Sequence, residues 1–244
     1  MDYAAALLDE TRAFGELIRT GDPQLAIPTC PEWNLTQLFR HFGRGNRWAA
    51  QIIADRMDGP LDPREVVDGK PPAESDAAIE WLHDGAQRVL DAVDRSGPDT
   101  PAWTFMGARP ASWWVRRRLH EATVHRADAA LAVGSDFALS PELAADGIGE
   151  LLDLIPALIA RNGQALPLAD GHSVHLHAID DGLGSAGTDT VSWSHEHGKG
   201  SVALRGSARD LFLAVMRRVP VADTDIAIFG DAAVWQNWVD HTAF

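Results

Sequence analysis

Glu121 and His125 stand four residues apart in "RRRLHEATVHRADAALAVG", residues 116–134, a stretch with helical spacing. Side chains four apart on a helix lie one turn above the other on the same face, so this carboxylate and imidazole can grip one cation. They can equally form a salt-screened surface pair, and spacing alone does not choose between the two. A third donor bears on the choice. His41 follows Leu38 by three residues and precedes Trp48 by seven, beside the apolar stripe of a second helical segment, which turns it toward a bundle interior. Taken singly, His41 reads as a hydrogen-bonded core histidine. Two histidines and a carboxylate from two facing helices, however, make an open zinc site with three protein ligands and a fourth position for water or substrate. Asp128, three residues beyond His125, either orients that ligand as a hydrogen-bond acceptor or is a surface helix charge.

The elements that must position these residues follow from periodicity. "YAAALLDETRAFGELIRTG" reads as a first helix, closed by Gly21 and Pro23. In "NLTQLFRHFGRGNRWAAQIIADRM", Asn34 and Gln37 have capping-box spacing. There Leu35, Leu38, Phe39, Phe42, Ala49, Ile52 and Ile53 keep close to a 3.6-residue period, so one face packs inward. After the Pro- and Gly-rich connection "DGPLDPREVVDGKPP", helical spacing resumes from Ser75 to Asp94, and "SGPDTPAW" leads into the helix of Glu121 and His125. Four long helices joined in this way predict an antiparallel bundle. "SPELAADGIGELLDLIPALIARNG" is a further helical segment at the transition. Beyond residue 165, "HSVHLHAI", "DTVSWSHE" and "GSVALRG" alternate as strands. "GSARDLFLAVMRR" then reads as helix with Ser207 and Asp210 in capping-box spacing, followed by a strand at "DIAIFG" and a last helix from Asp231. The predicted fold class is α+β in two domains: a metal-binding helical bundle over residues 1–165 and a small α+β domain over 166–244.

Composition narrows the partners. Lys and Arg number 21 against 35 Asp and Glu, and the net charge of -14 repels a phosphate backbone, which excludes nucleic acid as the expected partner. The one cysteine, Cys30, cannot form an internal disulfide and suits a reducing compartment. No signal peptide and no apolar run long enough to span a bilayer is evident, so the expectation is a cytoplasmic protein without a membrane partner. A monomer is compatible with the sequence, which leaves the oligomeric state open.

The segment "CPEWNLTQLFRH" and, about eighty residues on, "RRRLHEATVHRADA" resemble the mycothiol-dependent maleylpyruvate isomerase family, whose helical bundle is DinB-like. The resemblance in order and residue type spans essentially the whole chain. It implies a divalent zinc, or another divalent metal, bound by His41, Glu121 and His125. Cys30, Pro31 and Trp33 form the family's Cys-Pro-x-Trp opening before the first ligand. Ala127 stands where many relatives carry Trp, which implies a different pocket shape. The second domain resembles the family's sterol-carrier-like C-terminal domain, and its "GSARDLFLAVMRR" carries the family's active-site arginine over to Arg218. Arg217 takes the position of a glycine in the isomerase. Independently of the resemblance, an arginine there suits bidentate recognition of a carboxylate or favourable charge at a helix C-terminus.

The resemblance also implies a thiol cosubstrate, mycothiol, and a small-molecule electrophile as partner. A thiol in the open position of a zinc site loses its proton and becomes nucleophilic. Release of the adduct makes the enzyme a mycothiol S-transferase; rotation about a former double bond and expulsion of thiolate makes it a cis-trans isomerase. The wording "HEATVHRAD" resembles the wider group of family members, which favours the transferase. Metal-dependent hydrolysis by zinc-bound water and non-catalytic binding of a thiol or metabolite stay open as alternatives. Cys30, before a proline and outside the second helix, reads as a small buried hydrophobe rather than as the nucleophile. His172, His175 and His177, and likewise His195 and His197, read as solvated strand positions rather than ligands. "GLGSAG" at 182–187 opens no helix and is not read as a nucleotide loop. Trp103, Trp113 and Trp114 read as core, or as a hydrophobic wall of a substrate pocket.

Overall fold

The computed structural model describes residues 1–163, 168, 171–180, 190–192 and 201–242. It divides into two compact units, Met1–Phe137 and Ala138–Phe244. The first holds helices α1 (Tyr3–Thr20), α2 (Leu35–Ala54), α3 (Ser75–Ser96) and α4 (Trp113–Val133), with two short hairpins, β1 (Ala26–Ile27) with β2 (Cys30–Asn34) and β3 (Pro101–Ala102) with β4 (Arg109–Pro110). α2 packs on α3 and α1 on α4, while α1 also meets α3 and α2 meets α4, which closes a four-helix bundle.

Local chemistry sets the helix bounds. Asn34 Oδ1 accepts from Gln37 N and Gln37 Oε1 accepts from Asn34 N, both at 2.9 Å, so the predicted capping box forms at the start of α2. Along α2, Leu35, Leu38, Phe42, Ala49, Ile52 and Ile53 are buried. Gly43 lets α2 approach α3 closely, because a Cβ there would lie 2.1 Å from the Trp81 ring. α4 differs from its neighbours. It buries Trp114, Leu119, Ala122, Ala129 and Ala130, and also Arg118, His120, Thr123, His125, Arg126 and Asp128. A helix surrounded in this way and carrying polar side chains inward must satisfy them, as Arg126 does by donating to Glu10 at 2.8 Å.

The second unit contains α5 (Pro141–Asn162), strands β5 (Val174–Ala178), β6 (Thr190–Ser192), β7 (Val202–Gly206) and β8 (Ala227–Gly230), and helices α6 (Ala208–Val215) and α7 (Ala232–His241). The sheet order is β6-β5-β7-β8, with β5 and β7 parallel at the centre and antiparallel strands outside them. Val174, Leu176, Val202 and Leu204 are buried on one face, and α6 packs against β5 and β7. α5 packs on α6, so the helix that periodicity assigns to residues before 165 belongs with the second unit, and the division falls after Phe137.

α6 also ends earlier than its composition predicts. Arg217 adopts φ 59°, its N–H bonds to Ala214 O at 3.0 Å and the Arg218 N–H to Leu213 O at 2.8 Å, which is a Schellman termination before Pro220. Arg217 and Arg218 are therefore post-helical residues, not the last helical turn. Residues 182–187, His195 and His197 lie outside the described residues, as does most of the strand expected at "DTVSWSHE". Among the described residues no helix is long and apolar enough to cross a membrane.

Candidate metal centre

α2 and α4 bring His41, Glu121 and His125 together, with one ligand atom from each lying within 4.8 Å of the others. Among the described residues this is the one cluster of three or more His, Cys, Asp or Glu with such geometry. Donors around a tetrahedral zinc, at metal–donor distances of about 2.0–2.1 Å, stand roughly 3.3–3.4 Å apart. His125 Nε2 and Glu121 Oε2 are 3.5 Å apart, close to that spacing.

Each of the three side chains is held by its surroundings. His125 Nδ1 lies 2.9 Å from Asp128 Oδ2, and Asp128 Oδ1 accepts the Thr29 hydroxyl at 2.6 Å. A carboxylate only accepts, so Nδ1 carries a proton toward Asp128, and displacement of the Nε2 proton would leave a lone pair facing the cluster. Trp33, in β2, packs its ring 4.7 Å from that of His41, and the His41 and His125 rings meet edge to face at 5.1 Å. The Cys-Pro-x-Trp segment and the threonine before it thus brace both histidines. Glu121 receives Arg117 Nη2 on Oε1 at 2.5 Å, with Arg118 Nη1 3.6 Å from Oε2.

Electrostatics prepare the same groups for a cation. Burial, helped by the nearby His125, pushes His41 down to about 4, so its imidazole is neutral at neutral pH. Burial alone would depress His125 too, but hydrogen bonds to Asp128 and Glu121 outweigh it and raise the pKa. For Glu121, burial opposes ionisation, yet Arg117, His125 and Arg118 together hold the carboxyl well below its usual range. A neutral imidazole, a carboxylate and a histidine whose proton a metal must displace suit a divalent cation.

The cluster opens on a cavity of about 280 Å³ lined by His41, Glu121, Arg44, Arg117 and Arg118 and by the aromatic walls Trp48, Phe105 and Trp114. Arg118 is fixed by donation to Asn46 Oδ1 at 2.7 Å and Phe42 O at 3.2 Å, in space that Gly45 leaves, since a Cβ there would come 2.8 Å from its Nη2. Arg44 forms no hydrogen bond or ion pair with the described residues, and it is the cation left to meet a ligand. Of the tryptophans singled out by clustering, Trp114 reaches the cavity; Trp103 and Trp113 pack behind, against Trp48 and Trp114 respectively.

A family model described as the mycothiol maleylpyruvate isomerase N-terminal domain matches residues 4–130, and one described as the MDMPI C-terminal domain matches residues 142–237. The chain belongs to the mycothiol maleylpyruvate isomerase family. Two uncharacterized proteins of Mycobacterium tuberculosis, one from strain CDC 1551 / Oshkosh and one from strain ATCC 25618 / H37Rv, are each 29% identical over 177 residues, covering 69% of this chain and 81% of theirs. The crystal structure of the mycothiol-dependent maleylpyruvate isomerase superposes with a TM-score of 0.64 at 16% identity, covering 93% of this chain and 91% of that one. A histidine-to-alanine mutant of that isomerase gives 0.61 at 12% identity, covering 93% and 92%. At these identities the likeness establishes the fold, a helical domain followed by a mixed α/β domain.

Arg218 belongs to the second unit, where its Nη1 donates to Met216 O at 2.6 Å. Arg217, at a left-handed position, donates to Val239 O and, at 3.0 Å, to Thr242 Oγ1. It braces α7. His175 and His177 lie on one face of β5 with ring centroids 6.2 Å apart and form no ligand cluster with other described residues. Arg44, Arg117, Arg118 and Thr29 are site residues that motif reasoning passes over. For Arg117 and Arg118 a signal exists in the chain, because they precede Glu121 by four and three residues.

Proposed function

We propose that this family member is a metal-dependent enzyme, zinc being the expected ion, that uses mycothiol as a thiolate to attack a small electrophile, as an S-transferase or a cis-trans isomerase. The observation that carries the reading is the convergence of His41, Glu121 and His125 beside a cavity lined by aromatic rings and by Arg44. A divalent ion held by these three side chains would favour thiolate over thiol and so keep the mycothiol sulfur deprotonated near neutral pH. Asp128 holds His125 through Nδ1, so that Nε2, once its proton is displaced, would direct its lone pair at the ion. Trp48, Phe105 and Trp114, packed edge to face, offer an apolar wall that would limit water around the reacting carbon. Arg44 is suited to hold an anionic group of the electrophile, and Arg218 is proposed as a second arginine serving the reaction.

In the reaction the sulfur forms a bond to the electrophilic carbon as the C=C π bond breaks and its electron pair moves into the conjugated carbonyl, or as the bond to a leaving group breaks and the group departs with the pair. If the adduct is protonated, or the leaving group lost, and the product released, it is a thioether; if instead the former double bond rotates and the pair returns, thiolate is re-expelled and an isomerised alkene results. The test is thiol-dependent consumption of an electrophile by zinc-loaded protein, compared with His41→Ala, Glu121→Ala and His125→Ala. Each variant is expected to lose bound zinc and turnover together. Full metal occupancy in any one removes that residue from the site, and metal-dependent ester or amide cleavage without thiol replaces the reading with a hydrolase.

A further inference from the structure

Glu121 presents its two oxygens to different partners, and the difference bears on how many of them a metal can take. Oε1 meets Arg117 Nη2 at 2.5 Å, whereas Oε2 faces His125 Nε2 at 3.5 Å, the spacing of two donors around one ion. Arg117 and Glu121 are one helical turn apart on α4, and His125 is one turn further, so the backbone itself aligns cation, carboxylate and imidazole in a row. The Arg117 and Glu121 side chains are 12% and 27% exposed, which partly shields the charge-assisted bond from solvent and salt. Arg118 cannot take over this role, because its Nε and Nη2 are engaged by Asn46 Oδ1 and Phe42 O and its Nη1 is 3.6 Å from Oε2.

Carboxylates ligate cations through one oxygen or two, and zinc accepts a fifth donor. Were Oε1 released, Glu121 would be able to chelate and fill the position that a thiol needs. We infer that Arg117 is a positioning residue that reserves Glu121 Oε1, limits Glu121 to one metal-binding oxygen and so keeps a coordination position open in the metal-side cavity. The inference rests on the proposed ligand role of His41, Glu121 and His125. It assigns Arg117 a function distinct from an ordinary helix-surface ion pair, which would leave coordination unchanged.

Cobalt(II) substitution reads the coordination directly, since four-coordinate cobalt absorbs visible light strongly and higher-coordinate cobalt weakly. Mercaptoethanol serves as the probe of the open position, read by the near-ultraviolet thiolate-to-cobalt band, so the result does not depend on which thiol the protein uses. Arg117→Met is expected to retain one bound cobalt, lose visible intensity and bind mercaptoethanol about tenfold or more weakly. Arg117→Lys, which still offers a cation to Oε1, is expected to restore both signals. Should Arg117→Met fail to fold, Arg117→Ala, which keeps helix propensity, is read in the same way. A folded variant with the wild-type spectrum and wild-type thiol affinity overturns the role of Arg117. Wild-type protein that binds no cobalt overturns it too, through failure of the metal reading itself, and the two failures are told apart by which protein shows them.

Discussion

Replacing Asp128 with asparagine reverses one hydrogen bond at the base of the cluster. Asp128 is fully buried, with Oδ2 2.9 Å from His125 Nδ1 and Oδ1 2.6 Å from the Thr29 hydroxyl. In Asp128→Asn the amide oxygen can keep the Thr29 bond, but the NH2 group then faces His125 Nδ1, which must become an acceptor. The imidazole proton moves to Nε2, the atom a metal requires. Flipping the amide restores His125 only by turning NH2 toward the Thr29 hydroxyl and giving up the charge. A hydrogen bond to a charged group contributes about 1.5–3 kcal/mol. Loss of the partner that orients a metal-bound histidine weakens metal binding by about 10–100-fold, or roughly 1.4–2.8 kcal/mol. The two estimates agree. Zinc affinity measured by competition with a chromophoric chelator should therefore fall by that factor in Asp128→Asn, with circular dichroism confirming the fold. A folded variant whose affinity stays within about twofold of wild type would refute the orienting role.

Zinc affinity should also depend on pH with a slope of one proton. The metal displaces the proton from His125, whose pKa is raised, so affinity is flat above that value and falls about tenfold per pH unit below it. His41, depressed to about 4, and Glu121, held lower than usual, add no second proton above about pH 5, and a slope of two in that range would contradict the assignment. Arg44→Ala should raise KM for a carboxylate-bearing electrophile about 10–100-fold while leaving a neutral analogue unaffected. Equal effects on both would remove the anion-anchoring role. Arg218→Ala should leave zinc affinity unchanged and lower turnover, and an unchanged rate would strip Arg218 of its proposed part.

Much of the bundle was legible because burial imposes a 3.6-residue period and because caps mark helix starts. The Asn34–Gln37 capping box forms as its spacing predicts, and Glu121 and His125 share a face for the reason their spacing suggests. The hairpins β1–β2 and β3–β4 were not legible, since β1, β3 and β4 have only two residues each and the five-residue β2 shows no alternation of buried and exposed positions. Periodicity in α5 signals that one side is buried but not what covers it, and its partner proved to be α6. The end of α6 was hidden because arginine favours helix interiors; Arg217 instead takes the left-handed position usually given to glycine, anchored to Val239 and Thr242. Thr29 lies outside any periodic segment, so only tertiary contact connects it with Asp128.

The most direct test of the central claim is calorimetric titration of mycothiol into zinc-loaded and metal-free protein, repeated in buffers of different ionisation enthalpy. Binding that requires the metal and releases a proton is the predicted result, because only the thiolate should be held at the His41, Glu121 and His125 centre. Absence of binding to either form, or equal binding to both without proton release, would contradict the account.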